Sequence, residues 1–326
     1  MDSVDMLSNL LPDGLPRILP PYDDGIFQSV LTLPEARAAL ASTVATYIER
    51  PVKSVALRNN DAPTRDAKAK RERYDINCSV DNGDGDQCNI EMQASPMKGD
   101  SSANEHSNVK WRSVYNLSHL HSNQPGRGIQ YDRFARSFQI MICNYKVFDF
   151  DNDLVERFTY RNEKGYELCE ATMSIIVDLT QAKEIAKKPV DEMSDQEAWS
   201  VFFALGNDPQ YSEVIIGLTK KMEGIAVAYN ALLSISQDAD ERARYHSRRM
   251  WEQDREHEQA VAREEGRKEV RTKYEPLLAR KDAEIADKDA KLADKDAEIA
   301  DKDSKLADSY AEIEALRARL GIQEGQ

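Results

Sequence analysis

Alternation is the clearest pattern in this chain. In "RYDINCSVDNGDGDQCNIEMQ" (73–93) the apolar residues Ile76, Cys78, Val80, Cys88, Ile90 and Met92 fall on even numbers. Asp75, Asn77, Ser79, Gln87, Asn89, Glu91 and Gln93 fall on odd ones. A period of two on both sides of a Gly/Asn/Asp turn predicts a β-hairpin. Pairing Asp75 with Glu91 sets Ile76 against Ile90, Asn77 against Asn89 and Cys78 against Cys88, with Arg73 against Gln93. A loop from Asp81 to Gly85 then closes the hairpin, its glycines supplying positive φ.

The same procedure places the other elements. Asp23 or Asp24 stands as N-cap before "IFQSVL" and "EARAALASTVATYIE", a helical region broken near Pro34 and stopped at Pro51. "VKSVALR" (52–58) reads as a strand and "NVKWRSVYNLSHLH" (108–121) as an amphipathic helix. "FARSFQIMICNYKVF" (134–148) centres on a buried strand. "RFTYRN" and "ELCEATMSIIVDL" flank Gly165 as a second hairpin. Beyond Thr180 the pattern is helical: Ser194 and Glu197 form a capping-box signature, and further runs cover about 210–222, 224–236 and 239–265. The organisation expected is an irregular leader (1–22), a mixed α/β core (23–180), a helical extension (181–270), a heptad-repeat helix (271–320) and a tail (321–326).

The repeat "ADKDAEIADKDAKL" sets Ile285, Leu292, Ile299, Leu306, Ile313 and Leu320 seven residues apart. Most heptads supply one large apolar residue where a coiled coil uses two. The helix is therefore either a homo-oligomerisation stalk or a solvated charged rod.

Composition narrows the class. In 326 residues, 40% are hydrophobic and 31% charged, and no apolar run suffices to span a bilayer. The opening "MDSVDMLSNLLPDGLP" has acids where a secretory signal has basic residues, so the expectation is a cytoplasmic protein without membrane contact. A formal charge of −14 opposes nucleic acid globally, and phosphate contact then depends on local clusters. Lys68, Lys70, Arg71, Arg73, Arg112, Arg127, Arg133 and Arg136 supply them. Cys78, Cys88, Cys143 and Cys169 lack zinc spacing and read as buried thiols, with a Cys78–Cys88 disulfide the minority case. His119 and His121 read as helix-end residues, and Trp111 with Tyr115 as core.

The polar hairpin face carries the chemistry. Asp75 and Glu91, directly opposed, repel each other across about 5 Å. The repulsion is relieved by nearby Arg73 on an ordinary polar face, or by a divalent cation. Mg²⁺ takes carboxylate oxygens together with waters and substrate phosphate, and Gln93 on the same face is placed to hold an attacking water.

Asp24-x-x-Phe27, "YD" at 74–75, "IEMQ" at 90–93, "WRSVYNLSHL" and "GRGIQYDRF" together resemble the Rpn family of recombination-promoting nucleases and transposases, in the PD-(D/E)XK nuclease superfamily. The resemblance covers about residues 20–180, and more loosely the helices to about 265. It implies an α/β fold, a restriction-endonuclease-like mixed sheet flanked by helices. It also implies metal-dependent hydrolysis of DNA, with Asp75, Glu91 and Gln93 catalytic and Asp75, Glu91 and Asp24 holding Mg²⁺ (Mn²⁺ or Ca²⁺ as substitutes). Asp24 has N-capping as its competing role. Gln93 stands where the superfamily has lysine, and Gln28 where relatives often show one. Lys110, Arg112 and Arg73 are candidates for the missing cation beside phosphate. The competing function is a weakened nuclease fold that serves as an oligomerising scaffold or regulator.

Overall fold

The structure, a computed structural model, describes residues 16–58, 75–96, 108–124, 130–150 and 153–320. Helix α1 (Asp24–Thr32) starts where the Asp23 carboxylate accepts from the backbone N–H groups of Gly25 and Ile26, which otherwise lack partners in a first helical turn. Pro34 interrupts the helical region as a 3-10 turn (Pro34–Ala36), and α2 (Arg37–Ile48) resumes it. Glu49, at φ 53°, ends α2 in the left-handed region.

A six-stranded sheet follows: β1 (Ser54–Leu57), β2 (Ile76–Asp81), β3 (Gln87–Gln93), β4 (Ser137–Cys143), β5 (Val155–Phe158) and β6 (Thr172–Asp178), in the order β1-β2-β3-β4-β6-β5. The β2–β3 hairpin has the register the alternation predicts, with Ile76 opposite Ile90, Asn77 opposite Asn89 and Cys78 opposite Cys88. Gly83 and Gly85 take the positive φ its loop requires. The β5–β6 hairpin also forms, antiparallel, and Gly165 turns it with φ 83°. β3, β4 and β6 run parallel. The link from β3 to β4 carries helix α3 (Asn108–Ser122), because a parallel connection must cross back over one face of the sheet.

Ile76, Cys78, Val80, Cys88, Ile90 and Met92 join the main core with α1, α2, and the helices α5 (Asp195–Leu205) and α7 (Glu223–Gln237). The Ser194–Glu197 capping box starts α5 as expected. Helices α4 (Ala182–Ile185) and α6 (Ser212–Lys221) complete this layer. The last helix, α8 (Ala239–Leu320), is divided between two compact units, the first ending at Arg248 and the second beginning at Arg249. Its first turns lie in the globular unit, where Tyr245 is core and the Arg242 guanidinium donates to the carbonyl oxygens of Pro16 and Ser236. Residues 249–320 are helical, and most of the side chains described there are exposed, with i,i+4 ion pairs such as Lys291–Asp287 and Lys302–Glu298. The residues of the apolar seam from Ile285 to Ile313 are about half exposed. No helix among the described residues is long and apolar enough to cross a membrane.

Three expectations change. The odd-numbered hairpin face is not an open polar face: α3 covers it, and Asn77, Gln87, Asn89, Glu91 and Gln93 are all buried. Trp111 and Tyr115 are not core. They lie on the outward side of α3 at 60% and 52% exposure, because α3 spends its inward positions Val109, Ser113, Asn116, Leu117 and Leu120 on the sheet. Cys169 is exposed, whereas Cys78, Cys88 and Cys143 are buried, and all four thiols are free.

Two measurements check this packing. A Cβ on Gly224 would lie 2.5 Å from the Ser42 side chain and 3.2 Å from the Trp199 ring, where α7 meets α2 and α5. Gly224→Ala therefore destabilises by about 1–3 kcal/mol through overpacking, against the gain that alanine usually brings within a helix. A raised melting temperature would contradict the close approach. Burial, with Cys78 opposite, pushes the Cys88 thiol well up. A thiol reagent at neutral pH should thus label Cys169 alone in the native protein, and all four cysteines in denaturant.

Candidate active site

Glu91 is fully buried between β3 and α3. Burying a carboxylate costs several kcal/mol unless cations and donors replace its water, and three side chains do so. Arg112 Nη2 lies 2.8 Å from Oε2. Asn116 Nδ2 donates to Oε1 at 2.6 Å and Asn89 Nδ2 at 3.2 Å. Arg112 and Asn116 are four apart on α3 and so share one helix face. Asn89, two residues before Glu91, shares its side of the strand. Asn89 also donates to Gln139 Oε1 on β4 at 2.7 Å. The carbonyl oxygens of Asn89 and Asn116 are buried and find no partner among the described residues.

The other two acids arrive from different elements at the carboxyl end of β3. Asp75 immediately precedes β2, and its Oδ2 accepts from Met92 N at 3.0 Å. Gln28 on α1 fixes that residue by donating to the Asp75 carbonyl oxygen at 2.7 Å. Asp23, not Asp24, is the N-cap of α1. Asp24 is the first helical residue and reaches across to accept from Ala94 N at 3.3 Å. The carboxylates of Asp24 and Asp75 thus bracket Gln93, which is buried and donates to the Met92 carbonyl oxygen. Parallel α/β sheets bind ligands at this end of their strands.

The cations expected beside phosphate separate. Arg112 meets Glu91. Lys110 turns to the Phe148 ring, 5.0 Å from its centroid. Arg73 lies outside the described residues, as do Lys68, Lys70, Arg71 and Arg127. Arg136 is ion-paired to Asp84 and Glu170. His121 closes α3 against Ser137 Oγ at 3.1 Å, burial lowering its pKa, and the His119 ring stacks on Tyr115.

The donor set has the hard oxygens that Mg²⁺ takes, but its arrangement does not fit the ion. Among the described residues no group of three or more His, Cys, Asp or Glu is placed to hold a metal, and Glu91 is already neutralised by Arg112. The repulsion that would call for a cation at the hairpin is answered, for Glu91, from α3. Asn116 and the supporting role of Gln28 escaped the sequence reading. The i,i+4 pair Arg112-x-x-x-Asn116 was the signal available for the first. The second requires knowing that α1 docks beside β2.

The comparison with known families agrees with this architecture. A family model described as PD-(D/E)XK nuclease family transposase matches residues 21–262. No curated protein and no solved structure matches the chain. The match spans most of the chain and both halves of the site, and the protein belongs to the PD-(D/E)XK nuclease family transposases.

Proposed function

We propose that this protein is a metal-dependent DNA endonuclease that hydrolyses phosphodiesters with little sequence preference, in recombination, mobile-element movement or defence. The reading rests on one observation: Asp24, Asp75, Glu91 and Gln93 come from α1, the start of β2 and the end of β3 to one end of the sheet, in a chain of a nuclease family. PD-(D/E)XK nucleases generally use divalent ions. Asp75, Glu91 and Asp24 carry the hard oxygens that Mg²⁺, or Mn²⁺ or Ca²⁺ in its place, would take, although Glu91 already meets Arg112 in the free protein. Such an ion, if bound, would polarise a phosphoryl oxygen and favour hydroxide at neutral pH.

The chain's own groups divide the remaining work. Gln93, neutral and hydrogen-bonded to the backbone, orients water but adds no positive charge. Arg112, paired with Glu91, takes the part of the missing lysine, since a guanidinium pairs with phosphate through two parallel N–H groups. Gln28 and the backbone of Met92 and Ala94 hold Asp75 and Asp24 in place. The partner is DNA, bound in a salt-dependent way because each phosphate neutralised by Lys or Arg releases counterions. The heptads of α8 support self-association of a cytoplasmic protein.

One observation favours a second reading, a weakened nuclease fold acting as a scaffold: Glu91 is ion-paired without any substrate. A plasmid assay decides between them. With Mg²⁺ or Mn²⁺ the wild-type chain should convert supercoiled DNA to nicked and linear forms. Asp75→Asn and Glu91→Gln, matched in volume, should each slow this by about a hundredfold or more, the equivalent of about 3 kcal/mol or more of transition-state stabilisation. Unchanged rates in both would remove the site assignment, and inactivity of the wild type would favour the scaffold.

A further inference from the structure

We propose that a polar cleft beside the candidate active site takes one unpaired nucleotide of a DNA strand, so that the protein prefers DNA with a base outside the duplex. The inference rests on the nuclease reading and narrows its substrate.

The cleft measures about 490 Å³, a size usual for small-ligand sites, and its place follows from the sheet. β4 and β6 run parallel and end in register, Cys143 beside Asp178. Asn144 and Thr180, just past those ends, line the cleft together with Tyr22, before α1, and Asn207, after α5. A Cβ on Gly206 would lie 3.2 Å from the Pro21 ring, so the end of α5 and the segment before α1 are pressed together there. Crevices at the carboxyl ends of parallel strands are where open α/β sheets bind ligands.

The cleft adjoins the acids. Asn144 N donates to the Gln93 carbonyl oxygen at 2.9 Å, and Tyr22 precedes Asp24 by two residues. Neighbouring strands lie about 4.8 Å apart, which puts the ends of β4 and β6 about 5 and 10 Å from that of β3. Since consecutive nucleotides of a stacked strand advance about 3.4 Å, a strand whose phosphate lies at Gln93 brings a nucleotide to the cleft within about one to three steps.

The lining selects the ligand. Asn144 and Asn207 are partly buried, and their side-chain amides have no hydrogen-bond partner among the described residues. A carboxamide offers a donor and an acceptor side by side, the pattern that base edges complement. In a duplex the pairing edge is occupied by the complementary base, so these amides suit a base that is unpaired. Tyr22 adds an aromatic ring on which such a base can stack. Lys183, exposed at the cleft and ion-paired to no described residue, supplies a point charge for the phosphate that comes with it. Asp208 opposes phosphate but accepts from the amino group of a base, and one of its oxygens already accepts from Gln210 N at 3.0 Å.

Fluorescence anisotropy of the full-length chain in EDTA, which keeps the probes uncut, tests this with three duplexes. One is fully paired, one carries a single unpaired adenine nucleotide, and one carries an abasic residue at that position. The unpaired adenine should bind about tenfold or more tighter than either of the others, near the lower end of what one base gains by stacking or amide contact. Asn144→Ala should remove most of the preference over the abasic probe. Lys183→Gln, an exposed change that keeps the test open should Asn144→Ala fail to fold, should reduce the preference over the paired probe. Equal affinity for the three probes, or a preference that both variants leave intact, overturns the inference and leaves the nuclease reading to the plasmid assay. Free deoxyadenosine monophosphate that binds more tightly than the unpaired-adenine probe also overturns it, by making the cleft a site for free nucleotides. Wild-type protein that binds none of the probes overturns the DNA partner of the nuclease reading as well.

Discussion

A carboxylate with no access to water has to be answered from within the protein, and the burial of Glu91 organises everything around it. Its position in β3 puts it on the face that α3 crosses. An apolar helix face there would leave a bare charge, at a cost of several kcal/mol. α3 instead presents Arg112 and Asn116 from one face, and β3 contributes Asn89. These contacts set where α3 sits on the sheet, which in turn sends Trp111 and Tyr115 outward. Replacing the ion pair with apolar side chains of similar volume need not weaken the fold. The ion pair by itself is therefore weak evidence of added stability.

The opposite face of the sheet works by simpler physics. Ile76, Ile90 and Met92 bury themselves against α1, α2, α5 and α7, and this packing holds β2 and β3 in register. The register then places Asp75 just beyond the last pair, within reach of Met92 N. The site is therefore assembled by the hydrophobic core on one side of β3 and by a charge contact on the other.

Legibility in the sequence followed the range of the interactions. The β2–β3 register, the break at Pro34, the Ser194–Glu197 box and the turns at Gly83 and Gly165 are local, and period and turn chemistry specify them. The family resemblance pointed to Asp24, Asp75, Glu91 and Gln93 as candidates, and the structure brings elements carrying all four to one end of the sheet. What the sequence could not convey depended on packing between distant segments. Alternation reports two unlike faces but not whether a helix covers the polar one, so the burial of Asn89 and Glu91 was hidden. Trp111 and Tyr115 lie four apart, as core residues do, and only the docking of α3 shows that its other side faces inward. Adjacent Asp23 and Asp24 are equivalent as caps on paper. The capping bonds to Gly25 and Ile26 go to Asp23, and Asp24 is thereby available to β3.

The central claim is that the buried charge of Glu91 is answered by Arg112 and Asn116, and that these contacts hold α3 on the sheet. A crystal structure of the free protein observes the arrangement directly. The account predicts the Arg112 guanidinium 2.8 Å from the Glu91 carboxylate, with Trp111 and Tyr115 facing outward. Glu91 open to solvent, or Trp111 and Tyr115 packed against the sheet, would contradict it.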